Sequence, residues 1–200
     1  MIDNICLYLT KKIREEMPEI DDERAEAINY GLQLMIGEFP KFFITLAIAY
    51  FLGIFKLTIV SFFIILPYRA IAGGFHLHTH LGCIICTTAL YCGTALFGKI
   101  QPISHDLVIP FAIAIWIFAI FCIYLYAPAD TENCPILRKK DRKIRRILAY
   151  CLVSIFMIIA SIVPNLIISN IILFGTLIQT CTITRIAYKL TKNKYGYEVY

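Results

Sequence analysis

The chain alternates long apolar runs with short polar islands, and the spacing inside each run predicts helices. Over residues 1–17, Ile5, Leu9, Ile13 and Met17 recur every four positions with lysines and acids between them. That is the pattern of an amphipathic helix lying at an interface. Pro18 is expected to stop it, and Asp21 or Asp22 to cap a second helix entering through Ala25 and Ile28. Apolar segments then follow over 30–55, 56–68, 81–97, 107–126, 147–163 and 166–186. The 56–68 run ends at Pro67 and is near the lower limit for crossing a bilayer, so a re-entrant path is an equal reading. Pro164 and Asn165 form the turn between the last two runs, and a polar tail follows. The pattern predicts an all-α polytopic membrane helix bundle, with about six transmembrane helices plus an N-terminal amphipathic helix. It reads as one domain: an interfacial region over 1–28, a bundle over 30–187 and a tail over 188–200.

Composition reinforces this reading. The chain has 59% hydrophobic and 16% charged residues and a mean hydropathy of +0.72. Soluble domains carry about a quarter charged residues, and a core this small has no room for so much apolar surface. The opening residues hold Lys11, Lys12, Arg14, Glu15 and Glu16 before any long apolar run, unlike a cleavable secretory signal.

Charge changes the picture by its placement. Sixteen of the nineteen Lys and Arg fall on the side that holds both termini if six segments cross, so the termini are expected on the cytoplasmic face. The 69–80 island shares that face if 56–68 spans. Arg138, Lys139, Lys140, Arg142, Lys143, Arg145 and Arg146 crowd into nine residues. They are expected in a positive-inside loop over 128–146 that also suits an anionic peptide or anionic lipid. No nucleic-acid-binding fold surrounds them, so nucleic acid is not expected as a partner. The eight cysteines lie mostly inside apolar runs, where they act as small hydrophobes, and no structural disulfide is expected.

Candidate chemistry concentrates in one island, Arg69-Ala-Ile-Ala-Gly73-Gly74-Phe-His76-Leu-His78-Thr-His80-Leu-Gly-Cys83-Ile-Ile-Cys86. Gly-Gly permits a sharp turn, and a turn before a helix leaves backbone N–H groups for an oxyanion. Two chemistries use His and Cys together. A histidine can take a thiol proton for nucleophilic attack, or His76, His78, His80 and Cys83 can ligate a metal in a transporter or sensor. If 76–86 were one straight helix, His80 would neighbour Cys83 and His76 would lie about 10 Å away at about 1.5 Å per residue. His76 can reach the sulfur only if the Gly73–His80 stretch is bent back; the helical reading favours His80, and Gly-Gly permits His76. Elsewhere, Glu38 and Lys41 share a helix face inside an apolar run, as an interfacial pair or as part of a buried site.

Arg69-x-x-x-Gly73-Gly74-x-His76 followed by Cys83 resembles the active segment of the accessory gene regulator B (AgrB) family. Tyr126-Ala-Pro-Ala-Asp-Thr-Glu-Asn-Cys-Pro135-Ile, followed by a basic run, is similar to the family's second motif. Gly31-Leu-Gln through Lys41 to Ala49-Tyr50 is similar to its first span. The resemblance implies a membrane cysteine peptidase with Cys83 as nucleophile and His76 as base, needing no cofactor. Its substrate would be an AgrD-like quorum-sensing propeptide cleaved at the cytoplasmic side through a Cys83 thioester, and then cyclised to a thiolactone or lactone. It also implies a homodimer. Gly73, Gly74 and Arg69 are then candidates for the turn and the oxyanion. Glu38, Lys41, Arg138, Lys139, Lys140, Arg142 and Lys143 are candidates for holding the propeptide, with Glu38 also the candidate orienter of His76. His78, His80 and Cys86 are extras that the motif does not require.

Overall fold

A computed structural model describes residues 2–17, 19–77, 79–100, 103–131, 136 and 138–196, without the side chains of 2–4, 23, 26, 27, 30, 33, 34, 38 and 80. Among the described residues the chain forms eight helices: α1 (Ile2–Glu16), α2 (Asp22–Phe51), α3 (Phe55–Ala72), α4 (His80–Ile100), α5 (His105–Tyr126), α6 (Lys139–Ile162), α7 (Leu166–Thr182) and α8 (Arg185–Leu190). The all-α bundle read from the sequence is what the chain forms. Four helices, α3 to α6, are long and apolar enough to cross a membrane, and α7 is a shorter apolar helix. The protein is membrane-integral.

Helix α1 packs on α2 through Cys6 and Thr10, both buried, with the Thr10 hydroxyl donating to the Cys6 carbonyl at 2.9 Å. The Ile5 and Met17 ends of the apolar stripe remain exposed, and Leu9 and Ile13 are half-buried. The stripe is therefore not the face that packs on α2, leaving it available to a membrane surface. The expected stop at Pro18 lies outside the described residues. Asp21 caps α2 as expected, its carboxylate accepting from the Arg24 N–H at 2.8 Å.

Helix α2 joins the short entering helix and the first apolar run into 30 residues, about 45 Å at about 1.5 Å per residue. It continues through Pro40. Likewise α3 does not end at Pro67 but runs to Ala72, reaching 18 residues. Proline forfeits one intrahelical N–H bond, but leaving the helix in an apolar setting would orphan several backbone groups at once. Arg69 thus sits in the last turn of α3 rather than in a polar loop. The 128–146 stretch is also corrected, since α6 begins at Lys139 and takes in most of the basic run. Asn165 turns the chain into α7 as expected, accepting from the Ile167 and Ile168 N–H groups.

At the centre stands α7, packed on α3, α4, α5 and α6. It buries Ser169, Asn170, Thr176, Gln179, Thr180 and Thr182, most of them with protein partners. Ser169 donates to the Ala160 carbonyl at 2.6 Å, Asn170 accepts from the Ile103 N–H at 2.7 Å, and Thr180 meets the Tyr68 hydroxyl at 3.0 Å. Small side chains let the backbones approach as membrane helix pairs require. At Gly98 of α4 an added Cβ would lie 2.5 Å from Ile171 and 3.3 Å from the Ile167 carbonyl oxygen. Outward faces carry Phe63, Ile113, Ile117, Phe121, Ile158 and Ile162, all exposed and apolar, as a lipid-facing surface demands.

The α4–α7 contact yields a stability prediction. Gly98→Leu should overpack the crossing and cost about 1–3 kcal/mol, read as a lowered unfolding midpoint in detergent. An unchanged midpoint would mean that the two helices do not meet at this glycine.

Candidate functional site

Contacts gather the Arg69–Cys83 island, the 127–131 loop, the basic run and the 188–196 segment at one end of the bundle. The chain leaves α3 through two glycines in conformations that L side chains rarely adopt, Gly73 at φ 82° and Gly74 at φ 147°. Beyond them residues 74–77 are irregular, and α4 starts only at His80. The straight helix over 76–86, with its wide His76–Cys83 separation, does not form.

Distant segments hold this turn. Ala129 brackets it, donating its N–H to the Ala72 carbonyl at 2.8 Å and accepting from the Gly74 N–H at 3.0 Å. A Cβ at Gly73 would stand 2.1 Å from the Ala129 oxygen, so only glycine allows this approach. From α7, Gln179 donates to the Gly73 carbonyl at 2.9 Å. Arg69 donates through Nη2 to the Phe75 carbonyl, and Asn193 donates to the His76 carbonyl at 2.7 Å. The Gly73 N–H is bonded to the Arg69 carbonyl at 2.9 Å. The glycines serve as turn residues, while both their amides, expected as oxyanion donors, are already occupied. Arg69 holds the turn through Nη2, while its buried Nη1 makes no hydrogen bond among the described residues.

The 127–131 loop is fastened in its turn by α6. The Asp130 side chain is 1% exposed and receives Arg142 through both guanidinium nitrogens, at 2.8 and 2.9 Å. Arg142 also donates to the Ile136 carbonyl at 3.0 Å, and Arg146 to the Ala127 carbonyl at 2.8 Å. Arg145 donates to the Ala70 carbonyl at 3.3 Å. Arg142, a candidate for holding the propeptide, thus has an internal task in the structure. Arg138, Lys139, Lys140 and Lys143 stay exposed. A hollow of about 580 Å³ opens beside them, lined by Tyr124, Lys139, Lys143, Arg146 and Tyr150 among others.

The last segment is no loose tail. Tyr188 donates to the Ala129 carbonyl at 2.7 Å and stacks on Tyr195 at 4.0 Å, while the Tyr195 hydroxyl reaches the Ile183 carbonyl at 2.9 Å. Sequence reasoning passed over these residues, although two tyrosines in a polar tail were a signal of docking.

Cys83 lies in the first turn of α4 and is half-buried. Thr79 supports that turn, its hydroxyl accepting from the Gly82 N–H at 3.2 Å and its carbonyl from the Cys83 N–H at 2.9 Å. Lys41 of α2, 6% exposed, points its ammonium at the sulfur, Nζ to Sγ 3.3 Å. The sequence marked Lys41 for a propeptide or for Glu38, and its contact with residue 83 was missed. The Glu38 and His80 side chains, and all of His78, lie outside the described residues. The His76 side chain is exposed. Among the described residues no three His, Cys, Asp or Glu side chains converge as metal ligands. A half-buried thiol at a helix N-terminus beside a cation has positive potential on two sides, which suits an anionic sulfur nucleophile.

Fold and site together define a polytopic helical membrane protein with a cysteine-bearing rim. The chain belongs to the accessory gene regulator B family, whose model matches residues 6–183. An AgrB-like protein of Listeria welshimeri is 28% identical over 181 residues, covering 90% of this chain and 87% of that one. A Listeria monocytogenes AgrB-like protein is 26% identical over the same shares. An accessory gene regulator protein B of Staphylococcus aureus is 26% identical over 189 residues, 94% of each chain. No solved structure matches.

Because the Asp130 carboxylate is buried, removing its half-buried partner Arg142 strands a charge. Arg142→Ala should cost about 3 kcal/mol or more and open residues 127–131 to proteolysis, whereas Lys140→Ala should change neither readout. Equal behaviour of the two variants in limited proteolysis would refute the fastening role.

Proposed function

We propose that the protein is a membrane cysteine endopeptidase that cleaves an AgrD-like quorum-sensing propeptide and cyclises the product. The observation that carries this reading is the Cys83 sulfur, half-buried at the start of α4 with an ammonium 3.3 Å away, at the bundle end that also holds His76. Family membership supports it. Cys83 attacks the scissile carbonyl and holds the N-terminal part of the propeptide as a thioester, and His76 handles the protons. A Cys or Ser inside the bound peptide then attacks the thioester and leaves as a thiolactone or lactone. Exchange of one thioester for another is nearly balanced, so no ATP is needed; water must be kept out instead, and a rim set among apolar helices favours that.

On this reading the active end faces the cytoplasm, an orientation that the Lys and Arg excess supports. The exposed Arg138, Lys139, Lys140 and Lys143 offer a dock for an acidic propeptide tail. The catalytic unit is a homodimer of single-domain chains resting against membrane lipid through α1.

Co-expression with the propeptide tests the reading. Cys83→Ala and Cys83→Ser should abolish cleavage, while Cys86→Ala should retain it. His76→Ala should slow cleavage by on the order of 10²–10⁴-fold. Mass spectrometry separates a ring from a hydrolysed product, which is heavier by a water. Full cleavage by Cys83→Ala would remove the proposal.

A further inference from the structure

We infer that Lys41 is the standing charge partner of the Cys83 sulfur, so that the nucleophile is held as an ammonium–thiolate pair before substrate arrives and His76 is left to serve the leaving amine. This deepens the peptidase reading and rests on it for the catalytic consequence, though not for the pair itself. The pair rests on geometry. Lys41 is nearly buried and its Nζ reaches Sγ at 3.3 Å. A cation at this distance and the start of a helix both favour the anionic form of a thiol.

The contact is also held in register. Lys41, Thr45 and Ala49 recur every fourth residue along α2 and are all buried, as one helix face. Thr45 meets the Thr88 hydroxyl at 3.0 Å, and its carbonyl accepts from the Cys92 thiol at 3.8 Å. Two further contacts of the same seam therefore fix how far α2 can slide along α4, and Lys41 stays opposite the first turn of α4.

The chemistry balances without a co-reactant. The Cys83 thiolate attacks the scissile carbonyl carbon, an S–C bond forms, the C–N bond breaks, and the leaving amine takes a proton from the His76 imidazolium. The internal Cys or Ser of the peptide then gives its proton to the neutral His76 as it attacks the thioester carbonyl. The S–C bond breaks, and Cys83 returns as a thiolate to the Lys41 ammonium. His76 ends as it began.

The test alkylates Cys83 in full-length protein in native membranes, on a Cys86→Ala background, with neutral iodoacetamide and anionic iodoacetate, read by mass of the Cys83 peptide. Lys41→Met, which keeps the length and apolar volume, and Lys41→Gln should slow modification by about tenfold or more, iodoacetate more than iodoacetamide. Lys41→Arg should restore both rates and their ratio. Equal slowing with both reagents that Lys41→Arg does not rescue, or wild-type rates in Lys41→Met, would overturn the pairing. The readout needs no propeptide. A charge-selective loss in a protein that never cleaves propeptide would sink the peptidase reading and leave the pair, whereas cleavage together with unaltered alkylation in Lys41→Met would sink the pair alone.

Discussion

The clamp of Ala129 on Gly73 and Gly74 is the constraint on which the rest of this end depends. Between α3 and α4 the chain must leave helical geometry beside buried protein, where free backbone N–H and C=O groups are costly. The Ala129 backbone, Gln179, Asn193 and Arg69 fill that need, each from a different part of the sequence. The turn that carries His76 is thereby held across 106 positions by Gln179 and across 117 by Asn193, and its path cannot change without disturbing α7 and the 188–196 segment.

That dependence accounts for the polar character of α7. A helix at the centre of an apolar bundle would pack adequately with Leu and Ile alone, and its middle does use Ile171, Ile172 and Leu173. Towards the rim it changes to Thr176, Gln179, Thr180 and Thr182, the last with its carbonyl accepting from the Phe75 N–H at 3.4 Å. Gln179 and Thr180 offset part of their desolvation through bonds to the Gly73 carbonyl and the Tyr68 hydroxyl. The apolar middle of α7 thus lies between two hydrogen-bonding ends, with Ser169 and Asn170 bonded to the Ala160 carbonyl and the Ile103 N–H at the other.

Much of the fold was legible because long apolar periodicity survives any tertiary arrangement. The 107–126 run became His105–Tyr126, Asp21 capped α2 and Asn165 capped α7. The errors share a cause. Pro67 was read as a stop, and the basic run as a loop, by rules that hold for chains in water; in an apolar setting a helix continues because its alternatives leave backbone groups bare. Of the candidate site, the Gly-Gly turn and the Cys83 neighbourhood could be located from local spacing. The Lys41 contact spans 42 positions and the Asn193 contact 117, distances over which no local pattern carries information. Lys41 in an apolar run announced that a partner existed, and local spacing could offer only Glu38, three positions away.

The basic run shows how one charge cluster serves two ends. Arg142 and Arg146, half-buried, and Arg145, itself exposed, donate to Asp130 and to backbone carbonyls, while Lys139, Lys140 and Lys143 remain exposed. The division follows the chemistry of the two side chains. A planar guanidinium presents several donors in fixed directions, as a bidentate carboxylate contact and neighbouring carbonyls require, whereas an ammonium on a flexible stem keeps its hydration more readily at a surface. Arg138, exposed ahead of the first turn of α6, marks where the fastening series has not yet begun. A cluster that looked uniform in sequence is therefore an internal fastening of three arginines beside an outward field of lysines. Any change of net charge at this end acts on the site through whichever of the two it touches.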